Sequence, residues 1–337
     1  MWASRRPLTL PLMGLPPPQR IRCREIGESD TDGIIALLER GLPGRDPHYF
    51  RRALERLSQH PTPSGFSKYG YLLESAGAPV GVILRIHSAI HVNADVRIRC
   101  NLSSWYVEPA FRSYAAMLAA QALKPRHVTY FNISPAPHTL PILEAQGYMP
   151  YSSGRLVAVA ALSAQSCGAR VQAVESEPGA RDGLSPSEIE LLLAHARYGC
   201  VSLVCNSAGQ RHPFIFRLLR LGLVSVAYLV YCRALEDFVR FAGPLGRFLA
   251  LRGCPLVMLD SNGPIRGLIG RYSGSSPKYF KGPHPPRLGD LAYSELAMFG
   301  YRELGRTGTP LRVRPSSGAR HAGHIFSAPY EDVKLKR

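Results

Sequence analysis

Long apolar runs are missing from this 337-residue chain. No stretch approaches the ~20 consecutive apolar residues of a bilayer-spanning helix, so no membrane span is expected. The most membrane-like segment, Leu8 to Leu15, contains Pro11 and runs straight into Pro16, Pro17 and Pro18. It follows Arg5 and Arg6, as in a signal peptide, but it is brief and no small-x-small cleavage site follows. Residues 1–20 therefore read as a disordered leader. Paired cysteines are missing as well. Cys23, Cys100, Cys167, Cys200, Cys205, Cys232 and Cys254 are scattered, odd in number and without a C-x-x-C pair. Cys200 and Cys205 are five apart in an apparent strand, which turns them to opposite faces and away from a shared metal. This is the cysteine usage of reduced thiols in a cytoplasmic protein. No G-x-S-x-G elbow, no H-E-x-x-H and no cysteine with a recognisable histidine partner occurs. The common nucleophile and zinc motifs are thereby excluded, and no metal is expected. His321 and His324 fall in a C-terminal stretch that reads as disordered.

Acid is what the two ends lack. The net charge is +17, and residues 1–24 hold five arginines and no acid. Residues 306–337 hold seven Lys and Arg against Glu331 and Asp332. Each end thus carries +5, which leaves +7 for the 281 residues between them. Basic tails hold RNA or anionic membrane loosely, but solvated tails are the preferred reading, and nucleic acid is not the expected partner. What lies between is ordinary globular material, 45% hydrophobic and 19% charged overall, in a length that suits two domains.

Two passages of the chain follow one plan. After an extended stretch from Ile21, helices are expected over Asp30–Arg40 and Asp46–Gln59. Strands follow over Tyr69–Ser75 and Val80–Ser88, joined by a turn at Ala76–Pro79, and a third over Arg97–Val107. A helix over Ser113–Leu123, a strand over Val128–Asn132, a short helix over Thr139–Gln146 stopped by Gly147, and a strand near Arg155–Ala161 complete the copy. The second half repeats this order. Val171–Glu175 reads as a strand, and Ser185-Pro186-Ser187-Glu188 is a capping box that opens a helix to Ala196. Strands are then expected at Cys200–Asn206, Phe214–Leu219 and Val226–Cys232, a helix at Leu235–Leu251 and a strand at Leu256–Leu259. Ser75-Ala76-Gly77 is echoed by Ser207-Ala208-Gly209, Asn132 by Asn262, and Gly147-Tyr148 by Gly300-Tyr301. Several echoes in one order point to duplication. The second copy carries an insertion at 266–288 whose basic, aromatic stretch Arg271–Gly282 reads either as a flap over an acceptor between the domains or as a surface loop.

The segment Leu102-Ser-Ser-Trp-Tyr-Val-Glu-Pro-Ala-Phe-Arg-Ser-Tyr-Ala-Ala-Met-Leu118 resembles the coenzyme-binding motif of the GNAT superfamily of acyl-CoA N-acyltransferases. The resemblance covers residues 21–160 and, more faintly, 168–305. In that family a central strand ends in Val-x-Pro, and a turn of the form R/Q-x-x-G-x-G/A opens the next helix. Backbone N–H groups at such a helix start make an anion site for the coenzyme A pyrophosphate. A mildly basic body suits that ligand. The resemblance implies a cofactor site at Val107, Arg112, Ser113, Tyr114, Ala115 and Ala116. Arg112 fills the arginine position and Ala115 the first glycine; Met117 departs from the second small residue. A second segment, Val128–Tyr148, resembles the family's next strand and short helix, and Asn132 matches the asparagine that contacts the pantetheine arm. Leu143 stands where the family's proton-donating tyrosine falls, and a leucine donates no proton.

The resemblance implies an α/β (α+β) chain of two tandem GNAT-like domains, each a mixed, mostly antiparallel sheet flanked by helices. The expected division is a leader at 1–20, an acyl-CoA-binding domain at 21–162, a degenerate copy at 163–305 and a basic tail at 306–337. It further implies an acyltransferase that uses acetyl-CoA or another acyl-CoA on a small-molecule or peptide amine. Direct attack needs a base and a donor for the thioester oxyanion. The backbone beside Trp105–Val107 suits the donor. Glu108, at the strand end, and His138, six residues past Asn132, are candidate bases, and Ser134 is a candidate donor in place of the missing tyrosine. Each has a bland alternative: a solvated charge for Glu108, packing or capping for His138, a helix cap for Ser134. In the second copy Glu236 and Asp237 stand where a pyrophosphate would sit, so that copy is expected to have lost the coenzyme. The alternative to an enzyme is a non-catalytic GNAT-like module that binds acyl-CoA or a protein partner.

Overall fold

A computed structural model describes residues 20–45, 48–92, 95–163, 168–175 and 178–300, apart from the side chains of 91, 92, 138 and 178. The leader at 1–19, Cys167 and the basic tail lie outside the described residues. The first copy runs β1 (Ile21–Glu25), α1 (Thr31–Gly41), α2 (Tyr49–Gln59), β2 (Gly70–Ser75), β3 (Ala78–Val92), β4 (Asp95–Val107), α3 (Ala115–Ala122), β5 (Thr129–Asn132), α4 (Leu140–Ala145), β6 (Met149–Ser152) and β7 (Gly154–Ala158). The second runs β8 (Arg170–Ala173), α5 (Pro186–Arg197), β9 (Val201–Ser207), β10 (Gln210–Leu221), β11 (Val224–Cys232), α6 (Leu235–Ala250), β12 (Leu256–Ser261), β13 (Gly270–Ser273), β14 (Lys278–Lys281) and α7 (Glu295–Met298). No described helix is long and apolar enough to cross a membrane.

The sequence echoes become repeated geometry. Ala76-Gly77 and Ala208-Gly209 both have positive φ (49° and 80°, 51° and 76°), the pair of left-handed residues that a two-residue hairpin turn requires. Gly147 and Gly300 both have φ 82° and stop α4 and α7 in the left-handed conformation that only glycine adopts without strain. The capping box forms as expected: the Ser185 hydroxyl accepts from the Glu188 N–H, and the Glu188 carboxylate accepts from the Ser185 N–H.

The strands are apolar on both faces because helices cover both. Leu72, Val82, Leu84 and Ile86 pack under α1 and α2, while Leu73, Ile83, Cys100 and Leu102 pack against α3 and α4. In the second copy Phe238, Phe241 and Leu245 of α6 cover one face, and Leu192 of α5 lies on the other. That last cluster also takes in Phe131 and Phe280 from the first sheet and Ile133 just past β5, so the two copies share one core.

The first sheet is ordered β1-β2-β3-β4-β5-β14-β6 and the second β8-β9-β10-β11-β12-β7-β13. Among the described strands, β4–β5 and β11–β12 pair parallel and the rest antiparallel. The sixth place in each sheet is filled by the other copy: β14 joins the first and β7 the second. This corrects two expectations. The strand near Arg155–Ala161 does not close the first copy, and segment 266–288 is neither flap nor surface loop but the source of β13 and β14. The reason is spacing. One residue, Ser153, separates β6 from β7, too few for a hairpin, whose shortest common turn holds two. The chain therefore passes on extended into the other sheet, and Asn262 holds the crossing by accepting from Ser153 N–H at 2.7 Å and donating to the Tyr151 carbonyl. Gly154 permits the passage: a Cβ there would stand 2.1 Å from the Ser273 carbonyl oxygen.

At the junction of the sheets lies a buried ion pair. Lys278 of β14 and Asp260 of β12 are 1% and 3% exposed and 2.8 Å apart. The Tyr228 hydroxyl donates to the same carboxylate and accepts from the Lys278 ammonium. Burial pulls the Lys278 pKa below that of an ordinary lysine, against the opposing pull of Asp260. Removing one partner strands the other charge in the core, at a cost of about 3–5 kcal/mol, whereas replacing both with apolar groups of similar volume is near neutral. Lys278→Met should therefore lower the denaturation midpoint sharply, and Lys278→Met combined with Asp260→Leu should restore most of the loss in a urea titration.

Candidate active site

The parallel strands β4 and β5 are bonded only where Arg99–Asn101 faces Thr129–Phe131. Beyond that point β5 ends, while β4 runs on to Val107, so the edge of β4 that faces β5 has no strand partner from Leu102 onward. A bulge reinforces the divergence. The β3–β4 register shifts between Val82 and Leu84, and Ser104 takes φ 48°, which leaves an extra residue in β4 and bends it. The result is a fork whose longer prong has no strand beside it on that edge past Asn101.

Asn132 stands at the end of the other prong. Its Oδ1 accepts from Ser134 N–H at 3.1 Å, while its buried Nδ2 has no acceptor among the described residues. A buried amide left unpaired costs about 1–3 kcal/mol, which a ligand carbonyl would offset. Past β4 the chain turns through a short 3-10 segment, Pro109–Tyr114, into α3. Val107 and Ala115 are buried; Ser113, Tyr114 and Ala116 are exposed. Met117, the departure from the family pattern, is 39% exposed. The Arg112 Nε is buried without an acceptor. Part of the turn is bonded to itself, Phe111 N–H to the Glu108 carbonyl and Ala115 N–H to that of Arg112. Among the described residues, the Asn132 Nδ2 and the Arg112 Nε are thus buried donors without an acceptor, one at the end of β5 and one in the turn past β4.

The candidate bases fare unequally. Glu108 is paired with Arg40 of α1 at 2.9 Å. It stands five residues beyond Ser103 on the chain, about 15 Å at strand rise. The side chain of His138 lies outside the described residues, its backbone being part of the short turn Pro137–Thr139. Ser134 is at the fork, and its hydroxyl donates to a carboxylate absent from the sequence-based set, that of Glu295. Leu143 is fully buried with Tyr148 and Tyr279; burial drives the Tyr148 phenol pKa up, so it keeps its proton.

Glu295 arrives on a strap from the second copy. Leu291 N–H bonds the Val230 carbonyl of β11, and Arg99 of β4 holds both Asp290 and the Ala292 carbonyl. Burial alone would push the Asp290 carboxyl up, but Arg99 and Arg287 hold it below the usual range. The strap then passes Asn101, whose Oδ1 accepts from Glu295 N–H at 2.6 Å, and the Ser103 hydroxyl donates to the other oxygen of the Glu295 carboxylate. Sequence reasoning had no route to Glu295, which lies 192 residues from Ser103. A serine before a short apolar run marks a helix start but not its destination.

The second fork, between β11 and β12, is sealed. Tyr228 occupies there the place of Asn101, as the last residue of β11 paired with its parallel neighbour, and the buried Tyr228–Asp260–Lys278 cluster fills the gap. Glu236 and Asp237 sit in the first turn of α6. Among the described residues no group of His, Cys, Asp and Glu is placed to hold a metal ion.

No family model matches the chain, and no curated protein matches it. Among solved structures it is similar to a GCN5-related N-acetyltransferase from Anabaena variabilis, with TM-score 0.52 and 10% identity over 77% of this chain and 72% of that one. It is also similar to the GCN5-related glucosamine N-acetyltransferase region of a fungal multi-domain GH3 β-N-acetylglucosaminidase, with TM-score 0.50 and 11% identity over 78% of this chain and 38% of that one. At such identity the likeness defines the fold. The chain has the fold of the GNAT acetyltransferases, in two mixed, mostly antiparallel seven-stranded sheets flanked by helices, as its sequence led us to expect.

Acid should loosen the strap. His195 is buried and neutral: its Nδ1 donates to the Leu191 carbonyl and its Nε2 accepts from Tyr293 N–H at 3.0 Å. Burial pulls its pKa down to about 4, and that of His87 down to about 3. Both folded values lie below the unfolded value of about 6.5. The stabilisation is therefore complete above pH 6.5 and declines as pH falls toward the folded values, by about 1.4 kcal/mol per pH unit per histidine. Thermal midpoints measured from pH 7 to 4 should fall accordingly, and His195→Gln should flatten that slope.

Proposed function

We propose that the first copy binds acetyl-CoA or another acyl-CoA and transfers the acyl group to an amine of a small molecule or peptide. The observation that carries this is the contrast between the two forks: the first is bridged by the Glu295 carboxylate through hydroxyls alone, with the Asn132 Nδ2 unpaired among the described residues, while the second is closed by an ion pair. Asn132 Nδ2 would hold a pantetheine carbonyl, and the turn Arg112–Ala116, with Val107 behind it, would hold the pyrophosphate. The acyl-CoA would supply an activated thioester; the backbone beside Trp105–Val107 would stabilise negative charge on its carbonyl oxygen. Ser134 takes the donor's place that Leu143 leaves empty. The absence of cysteine pairs suits a cytoplasmic setting. A second reading, binding without turnover, is favoured by Leu143 itself, since no phenol stands at that position.

Acetyl-CoA should raise the melting temperature and, with a primary-amine acceptor, release free thiol. Asn132→Ala should weaken acetyl-CoA binding about 2- to 10-fold, the value of one net hydrogen bond, and Arg112→Glu should weaken it further. Stabilisation without thiol release across an amine panel would select the binding module, and no stabilisation by acetyl-CoA or longer acyl-CoAs would remove both readings.

A further inference from the structure

Arg99, Asn101 and Ser103 alternate along β4 and so share one face of the first sheet, the face under α1 and α2 where Leu84 and Ile86 stand opposite Ser103 and Asn101. The strap from the second copy lies along this row and delivers Glu295 to the point where β4 and β5 part. There its carboxylate spans the gap, with Ser103 of β4 on one oxygen and Ser134, just past β5, on the other. Glu295 is 9% exposed, and its two carboxylate oxygens accept from hydroxyls on the two prongs of the fork. It stands at the fork within hydrogen-bond reach of Ser134, where acyl transfer to an amine needs a proton acceptor. The same strap walls a cavity of about 550 Å³ between the copies, lined on this face by Ser88 and Arg99 and opposite by Glu188 and Tyr231.

We propose that Glu295, supplied by the second copy, is the catalytic proton acceptor for the first copy's fork, with Ser134 relaying the proton onward. This rests on the acyl-transfer reading above. A neutral amine at the fork forms its C–N bond to the thioester carbonyl carbon, and Glu295 takes the N–H proton. As the C–S bond breaks, the Ser134 hydroxyl gives its proton to the departing sulfur and regains one from Glu295. The carboxylate is restored and no net proton is consumed; an acceptor arriving as an ammonium releases its extra proton to water. The degenerate copy thus keeps a place in the molecule by completing a site it does not itself contain.

Glu295→Gln keeps the shape and removes the proton acceptor. With acetyl-CoA and a panel of primary amines, calorimetry should give an acetyl-CoA affinity within about threefold of wild type, while thiol release falls at least 100-fold, the low end of general-base catalysis. Glu295→Asp should retain intermediate turnover, and added formate should partly restore Glu295→Ala. Ser134→Ala, a lighter change should the glutamine variant not fold, should leave acetyl-CoA binding intact and cut turnover at least tenfold. Glu295→Gln turnover within threefold of wild type overturns the proposal, as does tighter acetyl-CoA binding with undiminished turnover, the signature of a plug. Wild-type binding with no thiol release from any amine overturns it too, while leaving the coenzyme site standing. Wild-type protein that shows no acetyl-CoA binding removes the coenzyme reading and this proposal together.

Discussion

Ser153 is the whole connection between β6 and β7, and the rest of the architecture follows from that shortness. Two antiparallel neighbours cannot be joined by one residue, so β7 must find its partners elsewhere, and the vacated place beside β5 must be filled from outside. The later hairpin, β13 and β14, meets both needs, running beside β7 in the second sheet and returning to the first. Neither sheet is built from one contiguous stretch of chain, and neither can be completed without the other. Interleaving places Lys278 of the first sheet against Asp260 of the second, where burial makes each dependent on its partner.

The same constraint explains why the two forks differ. In both copies the central parallel strands diverge, and divergence leaves polar main chain that must be satisfied or covered. The second fork is filled by the ion pair at the sheet junction together with Tyr228. The first fork is bridged by hydroxyls and a single carboxylate, with an amide at its mouth left unpaired. One solution leaves every charge paired; the other leaves unsatisfied polar capacity, which is what a ligand-binding site keeps in reserve.

Acidity connects the fold to the site through the strap. Neutral His195 holds Tyr293, two residues before Glu295, and the Arg99–Asp290 pair fixes the segment upstream. The buried His195 stays neutral and the Asp290 carboxylate stays ionised near neutrality, so both contacts hold there. The geometry at the fork is accordingly a property of the assembled pair of copies rather than of the strands that bear the family-like motif.

The sequence by itself determined the local elements and their order. Alternating apolar residues, the Ser185 capping box, the Ala-Gly turns and the glycine stops each act over a few residues, and each formed where the pattern placed it. The motif from Val107 to Ala116 and the asparagine at 132 were legible for the same reason, since strand, turn and helix start are contiguous. Tertiary structure alone decided which strand lies beside which, that Glu108 spends its charge on Arg40 at the surface, and that a glutamate 192 residues away stands opposite Ser103. Periodicity records that a strand has a buried face; it carries no record of the neighbour that supplies its hydrogen bonds, because backbone N–H and C=O groups are the same in every residue but proline.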